Sequence, residues 1–294
     1  MTDPSDRTRA FLWITVAYLA ALVAALLTGI ALRHRHPIEI AFAADVAATL
    51  VVFGFSYVFD NSSFYDAYWS VIPPAIAVYF VAAAEPGAVP SRQALVVLVV
   101  ALWAVRLTWN WARGWTGLAH EDWRYVDLRA SQGRLYWIVS FFGLHFFPTL
   151  AVFLGCLPLW LALGSGARPL GWLDVVGALG ALGGTALELF ADNQLRRFRL
   201  SNPPPGSTFE GGLWAWSRHP NYLGEILFWI GLAFFGAAAS SFVWWGWLGA
   251  VAMVAMFRFA SLPMIEKRML ARRPGYEERQ RRVSLLIPWP PKAR

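Results

Sequence analysis

Long apolar runs separated by short polar loops dominate the chain. A helix needs about 20 mainly apolar residues to cross a bilayer. Runs of this kind predict membrane-spanning helices over residues 11–32, 39–59, 68–84, 93–112, 135–163 and 171–191. The hydropathy pattern therefore predicts an all-α fold, a polytopic transmembrane helical bundle.

The last apolar run, residues 222–257, is too long for a single span. Its only formal charge is Glu225. As one helix it would extend for roughly 54 Å, against a hydrocarbon core of about 30 Å. The small, polar segment 236–241 therefore predicts a hairpin between two spans, 222–238 and 242–262. This gives about 7–8 spans in a single integral-membrane domain over residues 1–294.

Composition and charge fit a membrane protein and orient it. Hydrophobic residues make up 57% of the chain and charged residues 15%, with a net charge of +7. With eight spans, most Lys and Arg residues fall on the side that holds both termini. The other side receives only Arg33, Arg35, Arg92 and Arg168. Because cytoplasmic loops are rich in positive charge, we expect both termini in the cytoplasm, with residues 263–294 as a basic tail.

The distribution of positive charge also limits the partners. The basic residues lie at the ends of spans and are not gathered on a soluble module. This arrangement indicates contact with anionic membrane lipids and no nucleic acid partner.

Polar side chains are concentrated at the start of the last apolar run. They are Arg218, His219, Asn221, Tyr222 and Glu225. A charged side chain in hydrocarbon costs about 2.5–3.5 kcal/mol on insertion scales, so such a cluster usually marks a functional site. The alternative is an interfacial belt, in which Arg218 meets lipid phosphate and Tyr222 lies at headgroup level.

A second polar stripe ends the sixth predicted span. Glu188, Asp192 and Arg199 are spaced by four and seven residues, which places them on one face of a helix. With Arg196 they suit a ligand that carries phosphates and a ribose, because guanidinium groups bind phosphate and carboxylates accept from hydroxyls. For Arg196, simple membrane anchoring is the alternative.

Other polar residues lie inside the predicted spans, where each needs a partner or a cavity. We expect Asp45–Arg106 or Glu188–Arg258 pairs as structural clamps and His145 as a hydrogen-bonded core histidine. No His-x-x-x-His pair supports a metal site, so none is expected. The glycines of segment 177–184 predict close helix packing, since no strand precedes them as a dinucleotide fingerprint requires.

The chain resembles the steroid 5-alpha-reductase superfamily, and its bacterial branch most closely. The resemblance is carried by residues 212–225, by Asp192, Arg196 and Arg199, and by segments 61–70, 110–125 and 275–288. It implies a reductase-like core over residues 60–262. It also implies an enzyme of the bacterial inner membrane that binds NADPH from the cytoplasm. Such an enzyme reduces a carbon–carbon double bond conjugated to a ketone in an apolar, lipid-like substrate.

The resemblance assigns roles to residues. The positions that match the family's cofactor site are Asp192, Arg196, Arg199, Asn221, Tyr222, Glu225 and Arg258. We expect Arg218, His219 and Asn221 to hold the cofactor, and Tyr222 and Glu225 to orient its nicotinamide end.

The substrate side departs from the family's pattern. The steroid reductases carry a Gln-Glu pair on an early helix, and the first three predicted spans have no such pair. Hydride addition to an enone builds negative charge on the ketone oxygen, so a proton donor must lie there. Asp45, Tyr57, Tyr65, Asp66 and Tyr68 are the available residues, and Asp66 or Tyr68 is the expected donor.

Two other functions fit the same motif. It is similar to that of membrane methyltransferases that use S-adenosylmethionine on isoprenylcysteine or phospholipid. The arginine-rich helix end favours NADPH over S-adenosylmethionine, which has no phosphate. A non-catalytic lipid or sterol binder is the third alternative.

Overall fold

A computed structural model of the chain describes residues 4–240 and 242–292. Every regular element in these ranges is helical. The α-helices are α1 (Pro4–Ala31), α2 (Pro37–Val58), α3 (Tyr68–Ala82), α4 (Pro90–Gly114), α5 (Trp123–Gln132), α6 (Tyr136–Ser140), α7 (Phe147–Leu159), α8 (Trp172–Leu200), α9 (Pro220–Ala239), α10 (Leu248–Met256), α11 (Leu262–Arg272) and α12 (Tyr276–Arg282). π-Helical turns over Phe141–Phe146 and Phe257–Ser261 join α6 to α7 and α10 to α11.

Seven helical stretches in the described ranges are long and apolar enough to cross a membrane. They are Asp6–Ala31, Pro37–Val58, Pro90–Gly114, Trp123–Ser165, Trp172–Leu200, Pro220–Ala239 and Trp244–Arg272. The prediction of an all-α polytopic bundle is confirmed. The remaining predicted span, 68–84, corresponds to α3, which has only 15 residues.

The last apolar run forms two helical stretches, as the hairpin required. α9 continues to Ala239, one residue beyond the predicted first span, and the next stretch begins at Trp244. Ser241 lies outside the described residues. The second stretch continues to Arg272, so the predicted tail over 263–294 begins inside a helix.

Although short, α3 connects the two faces of the bundle. Just before it, Nδ2 of Asn61 donates to the carbonyl oxygen of Leu118, beyond the end of α4, at 2.7 Å. Just after it, the Glu85 amide donates to the carbonyl oxygen of Gly164, near the start of α8, at 2.8 Å. We term the face that holds the ends of α4 and α8 the site face, and the opposite one the far face.

Both ends of the described chain lie on the site face. Arg7 of α1 donates to the carbonyl oxygen of Ala112 at 2.9 Å. At the other end, the Trp289 amide donates to the Trp216 carbonyl at 3.1 Å. That the site face is cytoplasmic stays a prediction from the charge pattern.

Helices α8 and α9 pack backbone against backbone. A Cβ atom on Gly224 would lie 2.5 Å from both the carbonyl oxygen of Gly184 and Cγ of Glu188. A Cβ on Gly231 would lie 2.6 Å from the Ala181 nitrogen. Small residues permit such close helix packing, as predicted for segment 177–184. The approach brings Glu188 directly against the start of α9.

A buried ion pair at the far face sets the register of α4 against α8. The Arg92 side chain is fully buried, and its Nε and Nη2 donate to Oδ1 and Oδ2 of Asp174 at 2.7 and 2.9 Å. On α4, Arg106 lies about four helical turns after Arg92, and on α8 Glu188 lies the same distance after Asp174. Because α4 and α8 run in the same direction, this pair aligns Arg106 with Glu188 near the site face.

Candidate active site

The guanidinium group of Arg106 gathers three carboxylates. Nη2 pairs with Oε2 of Glu188 at 2.5 Å, and Nη1 pairs with Oδ2 of Asp192 at 2.9 Å. Oε2 of Glu225 lies 3.9 Å from Nη2. Arg106, Glu188 and Glu225 are buried. Since one positive charge faces three carboxylates, the cluster has surplus negative charge unless a proton or a cationic group joins it.

The spacing of polar residues on two helices explains this cluster. On α4, Arg106, Asn110 and Arg113 recur at intervals of four and three, so they share one face. On α8, Glu188 and Asp192 are separated by four residues and share the facing stripe. Nδ2 of Asn110 donates to Oδ2 of Asp192 at 3.0 Å, which extends the contact by one turn.

Glu225 is held from two directions by indole groups. Its Oε1 accepts from Nε1 of Trp229 at 2.8 Å, and its Oε2 accepts from Nε1 of Trp103 at 3.1 Å. The Trp103 ring stacks on Phe228 with centroids 4.4 Å apart. These contacts direct Glu225 into the bundle, whereas an interfacial belt would direct polar groups to the lipid headgroups.

Asn221 stands at the start of α9 beside this cluster. Its Nδ2 donates to Oδ1 of Asp192 at 3.2 Å. Its Oδ1 is buried and has no hydrogen-bond partner among the described residues. A buried acceptor without a donor costs about 1–3 kcal/mol, so this atom indicates a place for a donor from a ligand.

Two arginines continue the site outward without a carboxylate partner in the described ranges. Nη1 of Arg113 donates to Oδ1 of Asn193 at 2.6 Å, and Nη2 donates to Oδ1 of Asn110 at 2.6 Å. Nη1 of Arg196 lies 3.5 Å from the Arg113 carbonyl oxygen. Asp192 is within electrostatic reach of Arg113 but beyond ion-pair distance, so both guanidinium groups can also face an anion.

Arg218 and His219 turn toward Glu266 of α11. Nε2 of His219 lies 2.6 Å from Oε1 of Glu266, and Nη2 of Arg218 lies 3.3 Å from Oε2. The same carboxylate accepts from the Tyr276 hydroxyl at 2.8 Å and from Nε2 of Gln280 at 2.6 Å. Burial, followed by the charge of Glu266, raises the pKa of Tyr276. His219 is thus tied to the carboxyl-terminal segment.

Tyr222 and Asp66 both lie near the start of α5. The Tyr222 ring packs against Phe257 with centroids 5.1 Å apart, and its hydroxyl lies within electrostatic reach of Arg124. Asp66 accepts from the Tyr125 hydroxyl at 2.6 Å. Burial raises the pKa of Asp66 to about 6, although Tyr125 and Arg124 act in the opposite direction.

Tyr68 belongs to a separate polar cluster inside the bundle. Its hydroxyl donates to Oδ1 of Asp45 at 2.9 Å, and both residues are buried. Oδ2 of Asp45 is buried without a hydrogen-bond partner among the described residues. Nearby, the Thr149 hydroxyl lies 2.8 Å from that of Thr49 and 2.7 Å from that of Tyr65.

Trp103 connects the two clusters. Its indole donates to Glu225, and its ring meets Trp69 edge-on with centroids 6.1 Å apart. Trp69 is the neighbour of Tyr68 in the sequence. Trp103 therefore links Glu225 to the residue next to Tyr68.

Besides Arg218 and His219, two more of the predicted cofactor residues lie away from the Arg106 cluster. Arg199 is exposed at the end of α8. Arg258 is exposed on the π-helical turn, with its guanidinium over the Phe259 ring at 5.6 Å. In the structure, therefore, Asp192, Arg196, Asn221, Tyr222 and Glu225 are the predicted residues that meet around α8 and α9.

The predicted structural ion pairs, Asp45–Arg106 and Glu188–Arg258, are wrong. Arg106 pairs with Glu188 rather than Asp45, because α4 turns this residue toward α8. Asp45 faces Tyr68 on α3 instead. Glu188 is consequently not paired with Arg258. His145 is confirmed as a hydrogen-bonded core histidine: it is fully buried, with Nδ1 at 3.0 Å from the Ser140 carbonyl oxygen.

Three residues of the site were not predicted. Arg113 shares the four- and three-residue spacing of Arg106 and Asn110, and that spacing was a usable signal. Trp103 lies one turn before this stripe inside an apolar run, where nothing distinguishes it from a core residue. Glu266 lies 47 residues from His219, so only the fold brings the two together.

Comparison with known proteins places the chain in a family. The model of a family described as "Protein of unknown function (DUF1295)" matches residues 52–283. The chain belongs to the DUF1295 family. The chain is also 30% identical over 264 residues to "Uncharacterized protein C594.04c" of Schizosaccharomyces pombe. The alignment covers 81% of this chain and 76% of the yeast protein. No solved structure matches the chain.

Proposed function

We propose that this DUF1295 protein is a membrane-embedded, NADPH-dependent reductase. Its substrate is an apolar, lipid-like compound in which a carbon–carbon double bond is conjugated to a ketone. The observation that carries the proposal is the unpartnered Oδ1 of Asn221 beside the Arg106 cluster. The resemblance of these residues to the steroid 5-alpha-reductase superfamily supports the same conclusion, including a site that faces the cytoplasm.

The residues at the site fit a nicotinamide dinucleotide phosphate. Oδ1 of Asn221 suits an amide donor such as the nicotinamide carboxamide. Arg113 and Arg196, which lack carboxylate partners in the described ranges, suit its phosphates. When bound, NADPH supplies a hydride.

The carboxylate cluster suits the charge that hydride transfer creates. A bound nicotinamide ring would gain positive charge as it gave up the hydride. Glu188 and Glu225 are buried and share one guanidinium group, so the negative charge that the cluster carries acts where water is excluded. Preorganised charge of this kind stabilises a transition state more effectively than mobile water does.

The Asp45–Tyr68 pair suits the substrate side. As hydride adds to the β-carbon of an enone, negative charge develops on the ketone oxygen. The Tyr68 hydroxyl, which donates to Oδ1 of Asp45, can transfer its proton to that oxygen to give the enol, and it recovers a proton from the enol hydroxyl as a proton from solvent adds to the α-carbon and forms the saturated ketone. The pair thereby takes the place of the missing Gln-Glu pair. Asp66, the other expected donor, instead accepts from Tyr125 at the site face.

Titration calorimetry of the detergent-solubilised protein with NADPH and with S-adenosylmethionine tests the proposal. We expect NADPH to bind and S-adenosylmethionine not to bind. We also expect Asn221→Ala and Arg113→Ala to weaken NADPH binding, whereas Arg134→Ala, an exposed arginine, leaves it unchanged. Binding of S-adenosylmethionine alone would support the methyltransferase.

Turnover separates a reductase from a non-catalytic binder. The measurement is loss of the reduced nicotinamide absorbance in the presence of apolar enones. We expect loss with at least one enone, and none with the corresponding saturated ketone. NADPH binding without turnover across the enones would contradict the proposed reaction and favour the binder.

A further inference from the structure

The carboxyl-terminal segment lies against the residues that precede α9. We term residues 284–292 the strap. The Ser284 carbonyl oxygen accepts from the Arg218 amide at 2.9 Å. Farther along, the Trp289 amide donates to the Trp216 carbonyl oxygen at 3.1 Å. These two backbone contacts fix the strap on the protein before any partner arrives.

The outward side of the strap is apolar. Leu286 packs against the main hydrophobic core, whereas the side chains of Ile287 and Trp289 are 68% and 69% exposed. Trp216, which is bonded to Trp289 through the backbone, is 48% exposed. The three exposed side chains therefore form one apolar patch on the site face.

Two basic residues border this patch. Nε of Arg282, the last residue of α12, donates to the Lys292 carbonyl oxygen at 3.2 Å, and the Lys292 amide donates to the Arg282 carbonyl oxygen at 3.0 Å. In the described ranges, the ion pairs of α12 involve Arg279 and Arg281, so neither Arg282 nor Lys292 has a carboxylate partner there. The strap itself contains no acidic residue.

Exposed tryptophans beside unpaired cations match an anionic bilayer surface. Tryptophan is enriched where the hydrocarbon core meets the lipid headgroups, because its ring has an apolar body and a polar N–H. Trp216 lies four residues before Pro220, which begins a stretch that is long and apolar enough to cross a membrane. Each Lys or Arg near an anionic leaflet strengthens the attraction about fivefold.

We propose that Trp216, Ile287 and Trp289 insert into the membrane interface while Arg282 and Lys292 bind anionic lipid headgroups. None of these residues belongs to a helical stretch that could cross the membrane. None is assigned to cofactor or substrate, so the inference does not rest on the proposed function. Through its backbone contacts, the strap then holds the start of α9 against the bilayer surface.

The test places a fluorescent label on the strap of the full-length protein. Cys156 is the single cysteine and is fully buried, so Ile287→Cys directs an apolar, environment-sensitive fluorophore to position 287. The labelled protein is placed in phosphatidylcholine nanodiscs with or without phosphatidylglycerol. With phosphatidylglycerol we expect blue-shifted emission, weak quenching by iodide, and strong quenching by a lipid that carries a nitroxide on its headgroup.

Variants of the labelled protein test the role of charge. Arg282→Gln combined with Lys292→Gln should lower the ratio of docked to undocked strap about 25-fold in phosphatidylglycerol nanodiscs and restore quenching by iodide. Lys267→Gln combined with Arg272→Gln is the matched control, because it removes the same charge from exposed positions of α11 and should change little. Arg282→Lys keeps the charge but loses the Nε hydrogen bond, and should dock like the wild type.

The other outcomes contradict the inference. Strong quenching by iodide in both lipid mixtures would show that the patch stays in water. Shielding that is equal in both mixtures, or lost equally in the two double variants, would overturn the assignment to anionic headgroups. Shielding in detergent that rises with protein concentration would show instead that a second copy of the chain covers the patch.

Discussion

Nε2 of His219 lies 2.6 Å from Oε1 of Glu266, so the histidine of the motif is bound to α11. Tyr276 and Gln280 donate to the same carboxylate. The contact also fixes the neighbouring Arg218, whose amide donates to the Ser284 carbonyl oxygen at 2.9 Å. We therefore interpret His219 as a positioning residue that holds the start of α9, rather than as a ligand of the cofactor.

Removal of the Glu266 carboxylate should loosen this junction. Glu266→Ala leaves several donors without their acceptor, so we expect a loss of stability of about 1–3 kcal/mol. Thermal unfolding in detergent measures it, and limited proteolysis after Gly275 reports release of the carboxyl-terminal segment. Glu277→Ala, in an exposed pair with Arg281, is the control and should change little. Equal stability of both variants would contradict the interpretation.

The contact between Gly184 and Gly224 should not tolerate a methyl group. A Cβ on Gly224 would lie 2.5 Å from Cγ of Glu188, so Gly224→Ala must move Glu188 or separate α8 from α9. Overpacking of this kind costs about 1–3 kcal/mol. Gly183→Ala is the matched control on α8, because no atom outside the helix lies within 4 Å of a Cβ there.

We expect Gly224→Ala to unfold at lower temperature and to bind NADPH more weakly. Gly183→Ala should bind normally and be as stable as the wild type or slightly more so, since alanine favours helix. Normal NADPH affinity in a destabilised Gly224→Ala protein would show that Glu188 plays no part in the cofactor site.

Asp66 should make stability depend on pH in a defined direction. Burial raises its pKa to about 6, above the value of about 3.9 in an unfolded chain. Between these values the folded state binds more protons than the unfolded state, so the contribution of Asp66 to stability falls as pH rises from about 4 to 6. Asp66→Asn keeps an acceptor for Tyr125 and removes this cost.

The comparison of melting temperatures therefore needs two pH values. At pH 8 we expect Asp66→Asn to be more stable than the wild type by up to about 3 kcal/mol. Toward pH 5 the difference should shrink as Asp66 takes up its proton. A difference that does not depend on pH would show that the carboxyl group titrates normally.

Tyr68→Phe should separate binding from turnover. The variant keeps the ring in its buried position but removes the hydroxyl that faces Asp45. We expect NADPH affinity to stay unchanged and reduction of an enone to slow by about 100-fold or more, in line with the loss of a proton donor. Tyr79→Phe, in the same helix but only partly buried, is the control. Equal rates for Tyr68→Phe and the wild type would assign the proton donor elsewhere.

Local patterns in the sequence predicted the helices well, because membrane spans are defined by length and hydropathy alone. The exception is α3, which has only 15 residues and is preceded by a separate 3-10 helix over Ser62–Tyr65. The stripe through Glu188 and Asp192 was equally predictable from the sequence, since it depends only on the helical repeat.

The sequence did not predict which residues pair with the buried charges. Hydropathy shows that Arg106 needs a carboxylate, but the choice between Asp45 and Glu188 depends on how α4 is rotated. That rotation is set by the Arg92–Asp174 pair and by the packing of Trp103 on Phe228, which are contacts between distant segments. The contact between Glu266 and His219 depends likewise on the fold, which brings α11 back to residues 212–225.

A nicotinamide cofactor should lie against the start of α9, and a crystal structure of the protein with NADPH would show its position. We expect electron density for the nucleotide beside Asn221, with a donor within hydrogen-bond distance of Oδ1 and phosphates near Arg113 and Arg196. Density elsewhere in the protein, or Asn221 Oδ1 still without a partner in a fully occupied complex, would contradict it.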